Sequence, residues 1–324
     1  MNLGVKSILA AAVLALGSTA TAQPYPARPL TIVVPFGAGG PADTVARHVS
    51  QGMSRLLKQQ IVIENVGGAG GNIGAERVAK ALPDGYTLML TNSGIATNPS
   101  LYRNLPYNPL TDFESIGVVT ENPMGVTARG SFPSGDFKEF LAYLKGAKNN
   151  VRFATAGVGS LAHLCGLLLM RATRSEFIMV PYKGTAQAMN DVMGGHVDVL
   201  CSGITDITSK VRGDKLKVYG VTSRTRVAAL PTVPTLDEQG LRGFEMVVWN
   251  ALFAPRSTPR PILETVAASM RDAVRDPALR ATLEKLGSVP PVPERATPAG
   301  LAALLKSDIE LWGPVLKSAG VRPQ

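Results

Sequence analysis

The sequence predicts an α/β chain folded as two lobes, each a mainly parallel sheet flanked by helices, with two strands crossing between them. Three observations lead there. Short apolar, β-branched runs alternate with helical patterns along the chain, which is the rhythm of parallel βαβ units. Glycine- or Ser/Thr-rich loops follow those runs, at the strand ends where α/β sheets receive ligands. Two stretches break the rhythm where the chain must cross between lobes: Glu121–Gly125, between strands at Ile116–Thr120 and Val126–Ala128, and the extended apolar run Val247–Ala254.

The chain has 324 residues, of which 45% are hydrophobic, enough for two packed cores. Charged residues make up 18% with no low-complexity tract, which excludes wholesale disorder. The formal net charge is +9, but aromatics are only 6% and no Lys/Arg run exceeds two adjacent residues. A nucleic-acid surface needs clustered basic residues and stacking rings, so no nucleic-acid partner is expected. The positive balance reads as a solvated surface that mildly favours anions.

The first 22 residues read as an export leader: Lys6 in the n-region, an apolar Ile8–Leu16, and Ala20-Thr21-Ala22 as a small-residue cleavage site. The apolar run is too short to span a bilayer. Cleavage after Ala22 leaves Gln23 first, with no cysteine for a lipid anchor. The expected location is the periplasm. Residues 23–122 plus 247–324 are read as lobe 1 and residues 123–246 as lobe 2.

In the first lobe, Leu30–Val34 is a strand that ends at Pro35. Gly37, Gly39 and Gly40 follow, then Pro41 and Asp43 at a helix start. Glycines allow a tight turn and close approach of a ligand to the main chain. The helix behind them offers unpaired N–H groups and a positive dipole end, so the stretch reads as an anion receptor. The helix continues through Val45, Val49, Met53, Leu56 and Leu57. Ile61–Glu64 is a second strand, and Gly67–Gly71 a second glycine loop with Asn72 as a candidate N-cap. Thr87–Thr91 is a third strand, entering Asn92-Ser93-Gly94. Residues 101–112 read as a Pro- and Tyr-rich connection.

The second lobe repeats the pattern. A helix covers Phe137–Leu144 and a strand Val151–Thr155, followed by Gly157–Ser160 and a helix carrying Leu161, Leu164, Cys165, Leu168 and Leu169. Ile178–Pro181 is a strand before the Tyr182–Thr185 loop. Val197–Cys201 is another, with Thr205 and Asp206 in the turn after it, and Leu216–Val221 closes the half. After the return crossing come helices at Pro261–Val274 and Pro277–Leu286. The last helix carries Leu301, Leu304, Leu305, Ile309 and Trp312, with a kink expected at Pro314.

Several chemistries can be weighed and set aside. Gly37–Ala42 fits a G-x-G-x-x-A pattern, but the match is short, and an exported chain does not meet soluble dinucleotide. No Gly-Lys-Ser/Thr follows the glycines, so a Walker loop is absent. Ser160 lacks the flanking glycines of a nucleophile elbow, and His163 lies on the same helix. Ser160 reads as a helix cap and His163 as a packed residue. The three histidines show no metal-ligand spacing, and no cofactor is expected. Asp43 and Asp84 read as first-turn and turn acids. Asp206 stays open between a helix cap and a ligand contact. Cys165 and Cys201 could pair in an oxidising compartment. The reading the sequence favours is two buried thiols behaving as small hydrophobes, and the pairing stays open.

Taken together, these stretches resemble the solute receptors of tripartite tricarboxylate transporters, also called Bug receptors. The resemblance runs through Pro35–Asp43 with Arg47, Asn65–Gly74, Pro83–Leu88, Leu101–Tyr107, Asp112-Phe113, Gly157–Ser160 with His163 and Val180–Gly184. It continues through Gly194–Asp198, Val221–Ser223, Leu230–Thr235 and Trp249–Pro255, nearly the whole chain after the leader. Each motif is modest alone, and their order and spacing carry the assignment. The resemblance implies a two-lobed periplasmic binding protein, type II-like, that closes on a small organic anion and is not an enzyme. It implies one jaw of Phe36, Ala38, Gly39 and Gly40, and another of Gly159, Ser160, Gly184 and Thr185. Ser93 and Asp206 would shape the distal end, and main-chain N–H groups and hydroxyls rather than ion pairs would hold the carboxylate. The implied partners of this monomer are a small carboxylate and the membrane subunits of a transporter, or alternatively a sensor kinase. An exported hydrolase is the less favoured alternative.

Overall fold

The computed structural model describes residues 25–146, 150–157, 160–182, 185–211, 215–285, 287–318 and 320–323. The leader and its cleavage point, and the expected ligand residues Gly159 and Gly184 with the neighbouring Lys183, lie outside the described residues.

Among the described residues nine strands form the sheet framework: β1 (Leu30–Val34), β2 (Ile61–Asn65), β3 (Thr87–Asn92), β4 (Phe113–Arg129), β5 (Arg152–Thr155), β6 (Ile178–Pro181), β7 (Val199–Gly203), β8 (Leu216–Val221) and β9 (Val247–Pro255). In the first lobe β1 pairs in parallel with β2 and β3, as βαβ units require. In the second, β5 pairs in parallel with β6 and β7. The crossing strands join antiparallel: β9 between β3 and β4, and β4 between β7 and β8 in the other lobe.

Strand β4 is 17 residues long and serves both lobes, a reach of about 55 Å at full extension. Its first part pairs with β9 as far as Pro123↔Val247, and from Met124 onward it pairs with β7. Pro123, which has no N–H to donate, sits where the partner changes.

Helices α1 (Pro41–Leu57), α2 (Asn72–Ala79), α3 (Gly94–Leu101), α4 (Phe137–Gly146), α5 (Leu161–Thr173), α6 (Thr185–Met193), α7 (Ile204–Lys210), α8 (Arg260–Arg275), α9 (Pro277–Lys285) and α10 (Pro298–Ser318) cover the sheets. Strands β1, β3 and β9 alternate between two cores. Ile32, Leu88, Leu90 and Leu252 face Val45, Val49 and Met53 of α1 and Val266 and Met270 of α8. Val33, Met89, Ala251 and Phe253 face the other way, toward Val78 of α2, Ile95 of α3 and Leu301 of α10. Burial on both faces is why these strands read as continuous apolar runs.

The structure changes several sequence expectations. Cys165 and Cys201 are not thiols; they form a disulfide with an S–S distance of 2.01 Å. Helix α5 packs on β7 and brings their Cα atoms to 6.2 Å, a proximity that the sequence does not reveal. Asn72 is not an N-cap: Gly71 holds that place, and the Asn72 side chain is buried. Residues 94–101, which carried no helical signal, form α3 around an internal Pro99. Asp206 lies in the first turn of α7 rather than in a loop. Helix α10 continues past Pro314 to Ser318, with Leu301 and Leu305 in a first-lobe core and Trp312, Val315 and Leu316 in a second-lobe core.

Candidate functional site

The loop after β1 is fastened by Asp43 at the start of α1. Its buried carboxylate accepts the Gly39 N–H at 2.8 Å, Arg47 Nε at 2.9 Å and Asn65 Nδ2 at 3.0 Å. Asn65 Nδ2 also donates to the Phe36 carbonyl at 3.2 Å. Burial alone would raise the Asp43 pKa. The donors from Arg47, Gly39 and Asn65 outweigh it and hold the carboxyl below its ordinary range. Gly39 has φ +78°, in the left-handed region that glycine permits.

The loop after β3 is fixed by short-range bonds. Ser93 N donates to the Trp249 carbonyl on β9 at 3.0 Å, and Gly94 N donates to Asn92 Oδ1 at 2.9 Å. Beneath it lies a buried polar trio. Tyr107 OH donates to Asn72 Oδ1 at 2.8 Å, and Asn98 Nδ2 donates to the same oxygen at 2.6 Å and to Tyr107 OH at 3.1 Å.

In the second lobe Ser160 caps α5, its Oγ accepting the His163 main-chain N–H at 3.3 Å. It is the main chain of His163 that meets the hydroxyl in this bond. Burial pushes the His163 pKa down, so the ring is neutral near pH 7. This is the capping role expected from the sequence, and the helix start presents its N–H groups beside Ser160.

A cavity of about 310 Å³ brings the two lobes' loops together. Phe36, Ser93 and Tyr102 border it from the first lobe, and Ser160, Leu161 and Leu164 from α5. Leu161 is 40% exposed, so the cavity opens to solvent beside it. Of the expected ligand residues, Phe36, Ser93 and Ser160 meet here. Ala38, Gly39, Gly40, Thr185 and Asp206 stand outside its lining. The Gly39 N–H is already engaged by Asp43, while Thr185 and Asp206 begin the helices that follow β6 and β7.

Sequence reasoning missed the charged part of the wall. Glu245, Arg295 and Asp308 line the same cavity. Arg295 Nη1 meets Glu121 Oε1 at 2.6 Å, and its two terminal nitrogens pair with both oxygens of Glu245 at 3.0 Å each. Burial alone would lower the Arg295 pKa, but these two carboxylates raise it, so the cation is permanent. Burial raises Glu121, opposed by Arg295. Asp308 accepts the Trp249 indole N–H at 2.7 Å, and burial pushes its pKa up to about 6. These partners are far apart in the chain, and no local pattern announces them. Among the described residues no group of three His, Cys, Asp or Glu side chains could hold a metal, and no helix is long and apolar enough to cross a membrane.

Comparison with known proteins agrees with this geometry. The model of the tripartite tricarboxylate transporter family receptor matches residues 45–321. The UPF0065 protein in the TAR-I ttuE-ttuC' intergenic region of Agrobacterium vitis is 44% identical over 91% of this chain and 86% of its own length. The solved structure of the periplasmic binding protein BugD is 43% identical, with a TM-score of 0.70 over 93% of this chain and 100% of that one. MatC from Rhodopseudomonas palustris, solved with bound malate, is 38% identical, with a TM-score of 0.69 over 90% of this chain and 100% of that one. The family model describes a transporter receptor and BugD is a periplasmic binding protein, neither of them an enzyme, and the BugD and MatC structures share this chain's α/β fold. The chain belongs to the receptor family of the tripartite tricarboxylate transporters.

Proposed function

We propose that this chain is a periplasmic receptor that binds a small carboxylate between its lobes and delivers it, unaltered, to the membrane subunits of a tripartite transporter. The observation that carries the reading is the shared cavity, where Phe36 and Ser93 of one lobe face Ser160 of the other. Its volume of about 310 Å³ suits a small organic acid. Bound malate in the R. palustris relative supports a dicarboxylate or similar acid as the ligand. The lobes are proposed as residues 23–122 with 247–324 and residues 123–246, after a leader cleaved behind Ala22.

In this reading the ligand carboxylate takes hydrogen bonds from the start of α5, the Ser160 hydroxyl and the loops after β1 and β3. Arg295 is already paired with two carboxylates, so it is not the primary anion partner. Gly159, Gly184, Thr185 and Asp206 are proposed to complete the second jaw when the lobes close. Ala38, Gly39 and Gly40 do the same for the first.

A thermal-shift screen of the leader-free protein against organic acids tests the reading. A ligand at a hundredfold excess over its Kd stabilises by about 2.7 kcal/mol, which raises Tm by several degrees. A rise with at least one small carboxylate, and none with nucleotides, is expected. A response to nucleotides alone would overturn the proposal.

A further inference from the structure

The pair Arg295–Glu245 joins the two lobes. The Arg295 carbonyl accepts Val118 N on β4 at 2.9 Å, and the next residue, Ala296, packs on the first-lobe core. Glu245 lies between Phe244 and Met246, both in the second-lobe core, and Met246 N donates to the Thr222 carbonyl just past β8. The bidentate contact therefore bridges from one lobe to the other across the crossing strands. Glu121 belongs to the Arg295 side, since it pairs across β4 and β9 with Trp249 of a first-lobe core. Arg224 Nε, on the Glu245 side, reaches Glu245 at 2.8 Å. The side chains of Arg295, Glu121 and Glu245 are 14%, 8% and 18% exposed, so water screens the network little.

We propose that Arg295 is a positioning residue for ligand binding: its pair with Glu245 latches the lobes in the open arrangement. The arrangement that carries this pair is the one in which Leu161 at the cavity edge is solvent-exposed. Closure rotates one lobe about the β4 and β9 crossings, and a two-point contact across that axis resists rotation. Ligand affinity is multiplied by the fraction of molecules able to close, so a latch on the open arrangement lowers affinity. The Glu121 pair lies within one lobe and holds the guanidinium in place.

The consequence for affinity rests on the receptor reading, but the latch can be tested without any ligand. Spin labels at two exposed positions, Leu82 in the first lobe and Ile178 in the second, report the distance between lobes in the full ligand-free protein. Glu245→Gln removes the inter-lobe charge and leaves the Glu121–Arg295 pair, so the fold is retained. Its distance distribution should shift to shorter values, and that of Glu121→Gln should match wild type. For any carboxylate that stabilises the wild type, Kd should fall about threefold to tenfold in Glu245→Gln. An unchanged distribution in Glu245→Gln, an equal shift in Glu121→Gln, or an unchanged or higher Kd in Glu245→Gln would overturn the proposal. If no carboxylate binds, the receptor reading fails and the distance measurement still decides the latch.

Discussion

The Asp43 carboxylate accepts the Gly39 N–H at 2.8 Å, so the glycine loop after β1 is tied from behind by the helix it precedes. The same carboxylate takes Arg47 and Asn65, and Asn65 in turn holds the Phe36 carbonyl. The first acid of α1 thus holds, through Asn65, the main chain of Phe36, a residue that borders the cavity.

Asp43→Ala should destabilise the protein by about 2 kcal/mol, because buried donors lose their acceptor, and should weaken ligand binding. Asp43→Asn, which keeps an acceptor oxygen, should cost less. The folded pKa of Asp43 is lowered, so its stabilisation is full above about pH 4 and is lost as the pH falls through the folded value. Urea unfolding between pH 2 and 7 checks both: wild type and Asp43→Asn should converge at the acid end.

Asp308 behaves in the opposite sense. Its folded pKa of about 6 lies above the ordinary 3.8, so the folded state holds an extra proton between these values. Stability from this group therefore falls as pH rises from about 4 to about 6. Asp308→Asn keeps an acceptor for the Trp249 indole and should abolish that slope. Melting curves at half-unit pH steps will show whether the two proteins differ only in this window.

The Cys165–Cys201 bond closes a loop with a sequence separation of 36 residues. Loop-closure entropy for that length gives about 3–4 kcal/mol. The Cys165→Ala/Cys201→Ala double variant should lose about this much in chemical denaturation. Both sulfurs are fully buried, so reductant alone should act on the native protein only slowly, through unfolding.

Tyr107→Phe removes one member of the trio beneath α3. The loss should be about 1 kcal/mol, because Asn98 still donates to Asn72 Oδ1. Asn72→Ala should cost more, since it strands two buried donors. Paired urea titrations of the two variants measure the difference.

How much was legible follows from where each residue's partners lie. Strands β1, β3 and β5 show in the sequence because burial on both faces demands a β-branched or apolar run bounded by glycine or proline. Phe36, Ser93 and Ser160 line the cavity because each sits beyond a strand end, where an open α/β sheet exposes its loops, and that placement is legible in the sequence. Helix α3 was not, because Asn98 and Pro99 are poor helix-interior residues. Its stability comes from burial of Ile95 and Ala96 and from the Asn98 bonds to Asn72 and Tyr107. The Arg295 network was equally hidden, as its bonds to Glu245 and Glu121 span 50 and 174 residues. Distance along the chain also concealed the disulfide.

Calorimetric titration of the leader-free protein with the best carboxylate from the thermal screen, followed by recovery of the ligand, is the most direct test of the receptor account. The account predicts saturation at one ligand per chain, weaker binding in both Phe36→Ala and Ser160→Ala, and a recovered ligand chemically identical to the one added. Conversion of the ligand, or saturable binding that both variants leave untouched, would contradict it.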